Sequence, residues 1–134
     1  MEIEEQFRRL TPRYPELKGQ IAVVTGGAQG IGLGIVLRLA REGMRVVIGD
    51  FDEESLDNTI DVLKRLDTIV HPFLGDLSQA EFIEKLFDQT IKKFAGINLL
   101  INNAANLDRF RLLDEHEDVL ECQLETNIRG PYLC

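Results

Sequence analysis

Gly26, Gly30 and Gly32 stand in the run Thr25-Gly-Gly-Ala-Gln-Gly-Ile-Gly32, directly after an apolar stretch. A pyrophosphate is doubly charged and is held best by backbone N–H donors at close range. Glycines at positions 26 and 30 remove the Cβ atoms that would block that approach. A helix starting there adds its dipole, and Gly32 lets that helix pack closely on a strand. The plainer alternative is a tight turn with a helix–strand contact. A second feature is Asp50, which closes another apolar stretch roughly 20 residues past Gly30. A carboxylate there can accept both hydroxyls of a ribose and repel a 2′-phosphate. The alternative is a solvated helix cap, a role for which Asp52 is better placed.

These residues need elements to position them. Residues 20–25 form a short β-rich run ended by Gly26-Gly27 and read as a buried strand. Ile31, Ile35 and Leu39, with Val36 and Ala40, recur at helical spacing, and Gly43 follows as a C-cap. Residues 45–50 read as a second strand. Asp52 then caps a helix with Leu56, Ile60 and Leu63 on its inner face. Residues 68–74 make a third strand, and Pro72, lacking a donor, places it at a sheet edge. Ser78-Gln-Ala-Glu81 is a capping box for a helix with Phe82, Ile83, Leu86, Phe87 and Phe94 on its apolar face, ended by Gly96. Residues 97–101 are a fourth strand, closed by Asn102-Asn103. Asp114-Glu-His-Glu117 is a second capping box, opening a helix with Leu120, Leu124 and Ile128 turned inward. Residues 1–19 are a polar extension. Within it, 2–10 form either a short helix with Ile3, Phe7 and Leu10 on one face or a frayed arm, and Pro12 and Pro15 stop a helix from running on. Strands alternating with helices predict right-handed crossovers and a parallel sheet covered on both faces.

The glycine spacing is Gly-x-x-x-Gly-x-Gly rather than Gly-x-Gly-x-x-Gly. With Thr25 before it and Ile31 within it, the loop resembles the short-chain dehydrogenase/reductase family. The resemblance runs over residues 20–134 in full motif order. It implies an α/β fold with a Rossmann-type doubly wound parallel sheet of order 3-2-1-4, truncated, so that 20–134 is an incomplete NAD-binding domain. In the family an acidic residue at Asp50 implies NAD over NADP. Gln29, where NADP users often carry a basic residue, agrees. Ile31 and Phe51 are implied neighbours of the same cofactor. Asp76 is implied to bond the adenine amino group while Leu77 packs near the ring; otherwise Asp76 caps a helix, a role Ser78 already fills. Asn102-Asn-Ala-Ala105 resembles the family's Asn-Asn-Ala-Gly, with Ala105 for the usual Gly. Asn103, Ala104 and Ala105 are implied to line the cofactor, and the Asn pair to tie neighbouring strands. Asn127, in an Asn-x-x-Gly context ending at Gly130, matches a catalytic tetrad member that holds a water linking the active-site Lys to solvent. Taken alone, it is an Asn that bends or caps a helix. It interrupts an apolar face, where burying an unbonded amide costs about 1–3 kcal/mol. Leu120 stands where an aromatic is common. In the family the helix that matches the last one of this chain contributes to a subunit interface, which implies a homo-oligomer through that helix.

The family moves its proton with a Ser and a Tyr-x-x-x-Lys that follow a fifth strand, and this chain ends before such a strand begins. Tyr14 and Lys18 have the spacing but precede the first strand, and Tyr132 has no such Lys. The expectation is therefore an NAD-dependent oxidoreductase, passing hydride between nicotinamide and an alcohol or carbonyl substrate. This chain would carry the cofactor half and be inactive alone. The alternative is a truncated, non-catalytic nucleotide-binding or interaction module.

Composition narrows the setting. Of 134 residues 44% are hydrophobic, which excludes a wholly disordered or fibrous chain. With 15 Lys and Arg against 23 Asp and Glu, the net charge of −8 repels nucleic-acid backbones. No apolar run approaches the ~20 residues of a membrane span. Cys122 and Cys134 make no disulfide framework; on one helix they would lie roughly 18 Å apart. A cytoplasmic location is expected, and the N-terminal Met1-Glu-Ile-Glu-Glu lacks the basic and apolar regions of a signal peptide. His71 and His116 have no metal-ligand spacing, so no metal is expected, and no Gly-x-Ser-x-Gly occurs.

Overall fold

Alternate residues of the two central apolar runs serve opposite faces of one sheet. In the computed structural model, which describes residues 2–107 and 116–134, β1 (Ile21–Thr25), β2 (Arg45–Asp50), β3 (Val70–Leu74) and β4 (Leu99–Ile101) are all parallel, in the order β3-β2-β1-β4. This is the expected 3-2-1-4 arrangement, with β3 and its Pro72 at one edge. Ala22, Val24, Val46 and Ile48 point into one core, with Val36 and Leu37 of α2 (Gly30–Arg41) and Leu56, Ile60 and Leu63 of α3 (Glu53–Arg65). Val23 and Val47, one residue out of step, point into the other, with Ile83 and Leu86 of α4 (Ala80–Phe94). Strands buried on both faces show no polar alternation, so β1 and β2 read as continuous apolar runs.

The caps divide into confirmed and corrected ones. Asp52 caps α3, accepting the Ser55 N–H at 3.1 Å and the Ser55 hydroxyl at 2.8 Å. Gly43, at φ +81°, follows α2 in the left-handed conformation expected of it. Ser78 does not cap α4: the helix starts at Ala80 after Gln79. Ser78 is buried, its N–H donates to Asp76 Oδ1 at 2.8 Å, and its carbonyl accepts from Arg129. Tertiary packing has claimed the residue that local chemistry offered as a cap. At the far end Ala95, not Gly96, takes the left-handed turn, at φ 64°. The box at Asp114 lies outside the described residues.

Of the two alternatives for the N-terminus, the helix forms as α1 (Ile3–Arg9). It is anchored by Phe7, which is buried against the α2–α3 core under the Arg41 guanidinium. The strap after it is held by Glu42, whose carboxylate accepts the N–H groups of Arg13 (2.8 Å) and Tyr14 (2.9 Å) and pairs with Arg38. Burial works against that charge, but the Tyr14 and Arg13 N–H groups and the Arg38 charge outweigh it, and the Glu42 pKa lies below its ordinary 4.5. A carboxylate depressed on folding stabilises above its unfolded pKa and loses that effect as pH falls through the folded one. We expect amide-exchange protection of Arg13 and Tyr14 to hold at neutral pH and fade below about pH 4.5. In Glu42→Gln it should be weak at every pH; protection in that variant equal to the parent's would disprove the account.

The chain closes with α5 (Glu117–Leu124), a π-helical turn (Glu125–Arg129) and α6 (Gly130–Leu133). Leu120, Leu124 and Ile128 were expected to face inward, yet they are 50%, 40% and 63% exposed. The segment leans on the fold through its other side. Gly130 is buried, with space for a Cβ only 2.8 Å from the Leu77 carbonyl, and Arg129 reaches Ser78. The Leu stripe is thereby turned outward.

Candidate functional site

The C-terminal ends of all four strands lie along one edge of the sheet. Sequence order reverses between β1 and β4, and in such sheets a crevice opens at that point. Around it the glycine run is tied to its neighbours. Gly26, at φ +64°, donates its N–H to the Gly49 carbonyl at 2.7 Å, and a Cβ on it would meet Ala104 Cα at 2.8 Å. A Cβ on Gly32 would fall 1.9 Å from the Gly26 carbonyl oxygen. Both glycines therefore answer first to other parts of the chain. Gly30 differs: it sits at φ +57° with nothing within 4 Å of a Cβ position. Gln29, which precedes α2, makes no side-chain capping bond, so the first N–H groups of the helix at Gly30 and Ile31 are left for an outside acceptor. Ile31 is exposed beside them.

Asn103 holds this turn from β4. Its Nδ2 donates to the carbonyls of Thr25 (3.1 Å) and Gly26 (2.8 Å). The N–H groups of Asn103 and Ala104 both donate to Thr25 Oγ1 at 3.1 Å. The expectation that the Asn pair ties strands together is met by Asn103. Ala105 lies exposed just beyond.

At the end of β2, Asp50 is buried. Its Oδ2 accepts the Ala28 N–H at 3.0 Å and its Oδ1 the Asp52 N–H at 3.1 Å. A carboxylate offers about four acceptor positions, so roughly one per oxygen is left. Phe51 is exposed alongside. Gln29 Nε2 lies 3.5 Å from Asp52 Oδ2. The Ser55 N–H and hydroxyl hold the Asp52 carboxyl below its usual range.

Asp76 lies exposed just past β3 and accepts the Ser78 N–H in a turn before α4; neither it nor Ser78 caps the helix. The Leu77 side chain belongs to the α4-side core. Asn127 is exposed in the π-helical turn rather than buried. It clamps the main chain of Asn106 on both sides: Oδ1 accepts the Asn106 N–H at 2.7 Å, and Nδ2 donates to the Asn106 carbonyl at 2.9 Å. Thr59 was not singled out from sequence, and Thr25 and Gly27 entered only as parts of the glycine motif. Gly27 carried a signal, since it lies inside the glycine run; a Cβ there would crowd Ile48 at 2.8 Å. Among the described residues no group of three or more His, Cys, Asp or Glu gathers as a metal site, and no helix is long and apolar enough to cross a membrane.

Known proteins share this fold. An uncharacterized oxidoreductase of Thermotoga maritima is 32% identical over 118 residues, covering 88% of this chain and 46% of its own length. The 2,3-dihydroxy-2,3-dihydro-p-cumate dehydrogenase of Pseudomonas putida is 37% identical over 121 residues, with 88% and 46% covered. A short chain dehydrogenase/reductase of Burkholderia phymatum, solved in complex with NAD, superposes with a TM-score of 0.84 at 28% identity, over 88% of this chain and 42% of that one. The chain thus spans about half the length of the relatives it matches. The family model for short chain dehydrogenases matches residues 20–134, the stretch that builds the sheet, the glycine turn and the Asn103 tie, and the chain belongs to that family.

Proposed function

We propose that this chain carries the NAD-binding half of an oxidoreductase acting on an alcohol or carbonyl compound. The observation that carries the reading is the open cradle at Gly30. The start of a helix without a side-chain cap is set beside a glycine with positive φ and free space above it. The N–H groups at Gln29, Gly30 and Ile31 hold the diphosphate, with Gly26 and Gly32 shaping the turn. Asp50 uses its remaining acceptor positions for the adenosine ribose hydroxyls, with Phe51 beside it. Asp76 and Leu77 border the adenine. Asn103, Ala104 and Ala105 border the nicotinamide ribose. Asn127 fixes the Asn106 main chain and positions a water for proton exchange. When bound, the nicotinamide supplies or accepts the hydride. The NAD complex of the Burkholderia phymatum relative supports the choice of cofactor.

Calorimetric titration tests the reading. NAD should bind, and NADP at least about tenfold more weakly, because a 2′-phosphate would meet the Asp50 carboxylate. Equal or tighter NADP binding overturns the NAD assignment. No Tyr-x-x-x-Lys follows β4 in this sequence. These residues alone should therefore give no turnover across a panel of alcohols and ketones; a robust rate would refute that.

A second reading is favoured by one observation, the exposed stripe of Leu120, Leu124 and Ile128. An apolar helix face invites association, here of two copies, and the chain would then act as an interaction module. Sedimentation during the NAD titration separates the two. A compact monomer that binds NAD supports the first, and a dimer indifferent to NAD supports the second.

A further inference from the structure

Thr59 lies outside every motif described above, on the inner side of α3, and is 1% exposed. Its hydroxyl donates to the Ala28 carbonyl at 2.9 Å, while the Ala28 N–H donates to Asp50 Oδ2 at 3.0 Å. Two successive peptide planes in the middle of the glycine turn are therefore each held by one buried side chain. The peptide after Ala28 is trans, as are all those described. In a trans peptide the C=O and N–H point in opposite directions. With the Ala28 carbonyl drawn towards α3, the Gln29 N–H on the same plane must face the other way, away from α3, at a residue that is itself exposed.

We infer that Thr59 is a positioning residue for the dinucleotide: it aims the Gln29 N–H at an acceptor oxygen of the bound nucleotide without touching it. This rests on the NAD reading above and deepens it, because it names the side chain that orients the one N–H of the cradle lying next to the Ala28 carbonyl. Thr59 and Asp50 hold Ala28 from its two sides. With the turn fixed from α3, the carboxylate is not alone in holding Ala28.

The test compares Thr59→Val, which keeps the shape and loses the donor, with Thr59→Ser, which keeps the donor. Two measurements are made on each: amide exchange by NMR without ligand, and calorimetric titration with NAD and NADP. Exchange at Ala28, whose N–H is bonded to Asp50, should rise in Thr59→Val and not in Thr59→Ser, with Val36 and Leu63 unchanged. NAD binding should weaken about tenfold in Thr59→Val, the effect of one orphaned buried carbonyl, and return to within about threefold of the parent in Thr59→Ser. Preference over NADP should be unaltered. Unchanged exchange at Ala28, a uniform rise across the chain, or parental NAD affinity in Thr59→Val would each overturn the inference. If the parent chain itself binds no NAD, the cofactor reading fails. The exchange arm then decides the clamp alone: a rise confined to the turn upholds it, and no rise removes it.

Discussion

Gly32→Ala should abolish measurable NAD binding and destabilise the fold by about 3 kcal/mol or more, at the upper end of overpacking effects. The added methyl would lie 1.9 Å from the Gly26 carbonyl oxygen and 2.6 Å from Asn103 Nδ2. Its nearest neighbour is backbone, which cannot swing aside like the end of a flexible side chain. To make room, either α2 must leave the sheet or the turn must open, and both remove the N–H groups from the crevice. Two further glycines on the same helix make the experiment interpretable. Gly34→Ala meets nothing within 4 Å and should be neutral or stabilise by up to about 1 kcal/mol through helix propensity. Gly30→Ala also meets nothing, but φ +57° should cost it about 1–2 kcal/mol. Urea denaturation and NAD titration of the three variants give an ordering, Gly34→Ala most stable and Gly32→Ala least. If Gly32→Ala binds NAD within a few-fold of the parent, the close approach described here is wrong.

The second large effect is expected at Asn103. Its side-chain amide is a donor to the carbonyls of Thr25, the last residue of β1, and Gly26, 78 and 77 residues away in sequence. Asn103→Ala leaves two part-buried carbonyls without that donor and should cost on the order of 2–4 kcal/mol. Asn103→Asp should be worse, although it is nearly the same size, because a carboxylate would face two carbonyl oxygens with no proton to offer. Its deficit should shrink in acid as the carboxyl protonates and regains a donor. Denaturation midpoints of both variants at neutral and acidic pH provide the check. Aspartate tolerated as well as asparagine at neutral pH would refute the donor role.

What could be read in the sequence was what is encoded over short distances. The strand runs at 20–25 and 45–50 announce themselves by composition, and Pro72 marks an edge by a missing donor. The glycine run names its own turn. What could not be read depends on partners far along the chain. Ser78 has the chemistry of a cap, and nothing local says that Arg129 will take its carbonyl. Asn127 breaks an apolar stripe, which reads as a buried amide. Its stripe faces outward instead, and its partner is the Asn106 main chain. Thr59 looks like an ordinary helix residue, because the carbonyl it holds lies 31 residues back. The reasons for two glycines changed in the same way: Gly26 is small because Ala104 and Asn103 are close, Gly32 because the Gly26 carbonyl and Asn103 are, and of these three motif glycines Gly30 alone opens onto empty space.

The tie between Thr25 and Asn103 also sets a timetable for synthesis. On the ribosome, the glycine turn and then β2, which pairs with β1, are made before β4. The Asn103 donor comes 77 residues after the Gly26 carbonyl it will satisfy, a delay of roughly 4–15 s at usual translation rates of about 5–20 residues per second. During that interval the nascent chain holds a half-built turn beside an unfilled strand position, on the side of β1 where β4 will dock. The cradle is translated well before the residue that locks it, so a pause before β4 would prolong the time the turn stays open.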